Sequence, residues 1–147
     1  MTIANDSDFK AALDHLPPAQ QRLLAARFTQ NVLAFSRDPR VKGAVDAALR
    51  EGISDNELAL QHQSAKAARV ESYTQCGTEA DWSCQAGHFV AEAALACVRP
   101  AGRGNPAWDA AMNARMARAA AAIAEGEGDS HREAEAQYRA VETFFNT

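Results

Sequence analysis

Cys84, His88 and Glu92 recur at intervals of four within WSCQAGHFVAE, a spacing that stacks side chains one turn apart on a helix. A thiolate, an imidazole and a carboxylate in line are metal ligands by type, and equally the parts of a site for a small ligand or a partner. Cys76 lies just upstream in the same stretch, YTQCGTEADWSCQAGHF. A zinc site takes three or four protein ligands, and neither a CxxC nor an HExxH pattern supplies the rest, so that Cys76 would have to reach back from a loop. The expectation is no metal and no cofactor. Asp81, Gln85, His88, Glu92 and Arg99 then form a solvated stripe bordered by Cys84 and Leu95, with Cys84, His88 and Glu92 kept as a candidate ligand site. Three cysteines cannot all pair within one chain, and a reducing compartment keeps them as thiols.

A second constellation lies upstream. His62, Lys66, Arg69 and Tyr73 share one face of a helix, with Leu60, Ala67, Val70 and Thr74 opposite. A basic face bearing a phenol can hold an anion or an acidic partner through charge-assisted hydrogen bonds. At the C-terminal end, ETFFN places Phe144 beside Phe145. Only one of the two can point inward, leaving the other to fray or to touch another chain.

Patterns of dedicated catalysis are missing: there is no glycine-rich phosphate loop, no GxSxG elbow and no repeated acidic motif of a helical di-metal enzyme. The charges, 15 basic against 19 acidic for a net −4, form no long single-sign run, which argues against a phosphate-binding surface for nucleic acid. The start MTIANDSDFK lacks the basic and apolar regions of a signal peptide, and the longest apolar run, Ala119 to Ala124, is far too short to span a bilayer. A cytosolic protein without membrane contact is expected.

These residues must be positioned by helices. The 147 residues contain 34 alanines, the strongest helix former, while β-branched residues are few. The expectation is an all-α, single-domain bundle over 1–147, with about seven helices, five of them substantial. Pro18 opens a helix running to Phe35, with Leu24, Phe28, Val32 and Phe35 on its core face; RDPR breaks the chain, and Gly52 closes a third helix. Ser54 with Glu57 reads as a capping box opening the fourth helix, Gly77 as its stop, and Thr78 with Asp81 as the start of the fifth. On that fifth helix Trp82, Ala86, Phe89, Val90, Ala93 and Cys97 form a core side and Ser83, Gly87, Ala91 and Ala94 a small-residue side, so it should be central. The sixth, from Pro106 to Glu125, should bury Trp108, Met112, Met116, Ala119 and Ile123. The last, opened by Ser130 and Glu133, should bury Ala134, Tyr138, Val141 and Phe145.

From Arg27 to about Cys97, NVLAF, DPR, AALREGIS and QAGHFVAEAAL follow one another in an order that resembles an all-α family of putative immunity proteins of bacterial toxin systems, with Ala86-Gly87-His88 the nearest match. The resemblance covers about half the chain and transfers no site residue. It implies a small cytosolic bundle without cofactor that acts by binding a partner protein. The functional expectation is thus a non-enzymatic helical protein that binds another protein or itself, the alternative being a small enzyme or ligand sensor using Cys84, His88 and Glu92.

Overall fold

The computed structural model describes residues 2–76, 81–100, 104–126 and 131–146. The protein is all-α: α1 (Asp6–Asp14), α2 (Pro18–Gln30), α3 (Pro39–Leu49), α4 (Asp55–Cys76), α5 (Trp82–Cys97), α6 (Pro106–Ala124) and α7 (His131–Phe145), with one turn of 3₁₀ helix at Leu33–Phe35 between α2 and α3. Among the described residues there is no strand.

Local chemistry sets most of the boundaries. The carboxamide of Asn5 accepts from the amide of Asp8 at 2.9 Å, that of Asn105 accepts from the amide of Trp108 at 2.9 Å, and the carboxylate of Asp81 accepts from the amide of Cys84 at 3.1 Å. Each side chain satisfies one of the orphan donors at a helix start. Proline occupies the first turn of α2, α3 and α6, where it removes no intrahelical bond. α3 ends at Leu49, with Arg50 as an extended cap, and Gly52, expected to close the helix, makes a left-handed turn two residues beyond the cap at φ +70°. Ser54 accepts from the amide of Glu57 at 3.2 Å, while the Glu57 carboxylate reaches Arg50 at 3.1 Å. The expected roles of Gly77, Thr78 and Ser130 lie outside the described residues.

One boundary is set by packing instead. α2 stops at Gln30, five residues short of the expected Phe35. The short turn that follows carries Phe35 onto Ala86, Ala120 and Ala121, and puts its carbonyl oxygen where a Cβ on Gly87 would stand 3.2 Å away. Outside, Arg118 donates to the freed carbonyl of Asn31 at 3.0 Å.

α5 is central, packed against α6 on one side and against α2, α3 and α4 on the others. Its Val90, Ala93, Ala94 and Cys97 meet Ala110, Ala114 and Ala117 of α6 in the main core. A second core, richer in aromatic rings, gathers Phe9, Leu13, Leu24, Phe28 and Val141 with Trp108 and Phe144 at its margin, tying α1 and α7 to α2 and α6.

In α6 and α7 the sequence pattern misplaces the buried face. In α6 the fully buried side chains are alanines, Ala107, Ala110, Ala111, Ala114 and Ala117 among them, whereas Met116 and Ile123 are half exposed and Trp108 and Met112 only partly covered. Trp82, expected in the core of α5, is likewise exposed. Where two helices approach closely only methyl-sized groups fit between their axes, so larger side chains are displaced to the flanks. In α7 the buried line is Glu133, Gln137 and Val141, one position away from the expected stripe except at Val141. Gln137 is satisfied there, donating to the Ala111 carbonyl at 2.9 Å and accepting from Arg115 at 2.8 Å. Of the C-terminal pair, Phe144 packs inward and Phe145 is exposed.

Candidate functional site

α4 and α5 meet where the opening constellation lies. His88 projects from α5 with its side chain 12% exposed, between the phenol ring of Tyr73 and the ring of Phe89, both with centroids 5.8 Å away. The hydroxyl of Ser72 lies 2.9 Å from Nδ1 of His88 and 2.9 Å from the carbonyl oxygen of Arg69. A hydroxyl has one proton. A carbonyl can only accept, so Ser72 donates to Arg69, and Nδ1–H of His88 donates to Ser72. The other ring nitrogen, Nε2, faces Glu92 Oε1 at 3.6 Å, and Arg69 Nη1 faces the same oxygen at 3.6 Å. Ser72, His88 and Glu92 therefore resemble a hydrolase triad only in composition. The serine proton is committed to a backbone carbonyl, and the nitrogen facing Ser72 is a donor, so no base is poised to take that proton.

Cys84 does not join this set as a thiol. It is bonded to Cys76, with Cα atoms 5.6 Å apart, closing the end of α4 onto the start of α5. This corrects the expectation of three thiols: the antiparallel meeting of two helix ends brings the two cysteines within bonding range, which composition alone does not reveal. The pair also withdraws Cys84 from metal ligation. Among the described residues, no three His, Cys, Asp or Glu side chains converge in the manner of a metal site. Cys97 is free and fully buried, with Thr29 Oγ1 at 3.2 Å from its sulfur, and burial pushes its thiol up to about 12.

Two hollows flank His88. A cleft of about 520 Å³ opens between α4, α5, the Leu33–Phe35 turn and the C-terminal end of α6; its wall includes Phe35, Ser72, Cys84, Gly87, His88 and Ala121. At its rim Arg40 joins Asp38 and Glu71, both at 2.7 Å, pinning the start of α3 to α4; the guanidinium holds the Asp38 carboxyl below its usual range. A smaller hollow of about 220 Å³ on the outer side is formed by Arg69, Val70, Tyr73, His88 and Glu92.

The expected basic face of α4 is divided by this geometry. Arg69 and Tyr73 join His88 and Glu92 at the small hollow, Lys66 is exposed, and His62 lines a separate depression with Glu92, Arg99 and Asp109. The face expected to be apolar and inward, Leu60, Ala67, Val70 and Thr74, points to solvent, and α4 buries Ala65, Ala68 and Cys76 instead. Ser72 escaped the sequence reading, because a serine in a long helix carries no signal until the facing histidine is placed.

Among the described residues no helix is long and apolar enough to cross a membrane. No family model, no curated protein and no solved structure matches the chain.

Proposed function

We propose that the chain is a non-enzymatic helical protein that acts by binding another protein through the outer face of α4. The observation that carries this is an inversion along the helix. Leu60, Val70 and Tyr73 are 64%, 51% and 73% exposed, while the side turned to the core offers the small Ala65 and Ala68. Val70 and Tyr73 also border the small hollow with Arg69, and tyrosine and arginine beside a depression are the residue types that anchor interfaces. Lys66, exposed on the same flank, adds a cation suited to an acidic rim on the partner. The reading agrees with what the resemblance to immunity proteins implies, a cytosolic bundle that works by holding a partner.

The test is cross-linking capture from the native cell with the full chain, beside a Val70→Ser/Tyr73→Ser variant and a Lys66→Glu/Arg69→Glu variant, each first shown to melt like the parent. A protein captured by the parent and lost by both variants is the expected result. Sedimentation run in parallel would reassign the face to a second copy of the chain if the parent is a dimer that the variants dissociate. A partner retained by both variants at low salt, where exposed charges act most strongly, would overturn the reading.

The alternative, a small enzyme or ligand sensor, draws support from the 520 Å³ cleft, which Cys84 and His88 line and Glu92 does not. A small molecule retained stoichiometrically in the native mass, and lost on His88→Gln, would favour it.

A further inference from the structure

We propose that the Cys76–Cys84 cystine is a thiol–disulfide exchange site, opened from the cleft by an external dithiol that attacks the sulfur of Cys84. Access distinguishes the two sulfurs. Cys76 is buried, whereas Cys84 is only partly covered and belongs to the wall of the 520 Å³ cleft. A cleft of that size admits a small dithiol or the extended active-site segment of a reducing protein.

Cys84 is the third residue of α5, and its amide donates to the Asp81 carboxylate that caps the helix. The helix end favours a thiolate there, while the carboxylates of Asp81, Asp38, Glu71 and Glu125 on the same cleft wall oppose one and Arg37 offsets part of that charge, so access rather than acidity selects Cys84 for attack. His88 stands one turn further along the same helix and on the same cleft wall, at the i, i+4 separation where side chains are neighbours. Its ring is held in place by the hydrogen bond to Ser72, so the imidazole stays on the cleft wall that the released Cys84 thiol shares. Here His88 is a positioning residue. It forms no bond in the exchange.

The exchange balances as follows. A thiolate of the dithiol attacks Cys84 Sγ, the Cys76–Cys84 bond breaks, and Cys76 leaves as a thiolate. The second thiol of the reductant then attacks the mixed disulfide and releases Cys84. Two electrons pass to the protein, the two thiol protons of the reductant end on Cys76 and Cys84, and the dithiol departs as its own disulfide. The bond spans eight positions of sequence between the helices that frame the cleft, so its state is read out at the cleft itself. In a reducing compartment such a bond is transient and regulatory or catalytic rather than structural.

The experiment takes the full folded chain through a series of reduced and oxidised dithiothreitol mixtures, quenches with iodoacetamide and maps the alkylated cysteines by peptide mass. A single two-electron transition at Cys76 and Cys84 is expected, with helical circular dichroism retained and Cys97 untouched. A Cys76→Ser variant should form a mixed disulfide with glutathione at Cys84. At about neutral pH, reduced Cys84 should alkylate at least about tenfold faster than the buried Cys76 of the same folded chain. That rate should change in His88→Gln, which takes the ring from the wall shared with Cys84. Reduction that occurs only on unfolding, or equal alkylation of Cys76 and Cys84 in the folded chain, would overturn the proposal. An unchanged Cys84 rate in a His88→Gln chain that melts like the parent would remove the histidine from it.

Discussion

Ser72 and His88 join α4 to α5 by a 2.9 Å hydrogen bond whose direction is dictated by the second partner of the serine, the carbonyl of Arg69. The neutral imidazole is therefore the Nδ1–H tautomer, leaving Nε2 toward Glu92. Nitrogen-15 spectra of the side chain should show that tautomer. Ser72→Ala should cost about 1–2 kcal/mol, because the partly buried Nδ1–H loses its acceptor. An Nε2–H spectrum, or a Ser72→Ala melt above that of the parent, would contradict the assignment.

Close approach of helices governs the core, and substitutions by size should reveal it. Gly87→Leu should destabilise by about 1–3 kcal/mol, since even a Cβ meets the Phe35 carbonyl oxygen at 3.2 Å. Ala114→Leu, on the fully buried side of α6, should cost at least as much. Gly87→Ala should stay within about 1 kcal/mol of the parent, the gain in helix propensity offsetting the tight contact. Met116→Ala and Ile123→Ala, for all their hydrophobicity, should fall within about 0.5–1 kcal/mol because both side chains are half exposed. Urea melts of the five variants decide the matter: Met116→Ala costing more than Ala114→Leu would reverse the assigned face.

Two carboxylates should act on stability with opposite signs as pH changes. Asp6 accepts from Arg115 at 3.0 and 2.9 Å and from the Tyr138 hydroxyl at 2.7 Å. The Arg115 hydrogen bonds hold its carboxyl below the ordinary 3.8. Its contribution is present above that value and lost as pH falls through the lower folded pKa. Solvent exposure keeps it to about 1 kcal/mol or less. Glu133 is buried beside Arg118 at 3.2 Å, and desolvation raises its carboxyl above 4.5. The folded chain therefore binds that proton more tightly than the unfolded chain does, and stability falls as pH rises through the raised pKa. Urea melts between about pH 3 and pH 7 should show Asp6→Asn flattening the acid limb, and Glu133→Gln gaining on the parent as pH rises. Parallel pH profiles for parent and variants would refute both signs.

Short-range chemistry in the chain determined where most helices begin and what class of fold they build. Proline at 18, 39 and 106, Ser54, Asp81 and the positive φ of Gly52 act within a few residues of themselves, so their effects are legible without knowing what lies across the core. The central place of α5 was legible too, because Gly87, Ala91 and Ala94 mark a side made for close contact. Only the tertiary structure decided which way α4, α6 and α7 turn. Hydrophobic periodicity ranks side chains by size, and so points to Met116, Ile123 and Val70, while the narrow gap between neighbouring helices selects alanine and sends those larger groups outward. The Cys76–Cys84 bond and the Ser72–His88 contact depend in the same way on the meeting of α4 with α5. A spacing of 5.6 Å between two Cα atoms on different helices is a property of packing, and no count of cysteines in the chain contains it.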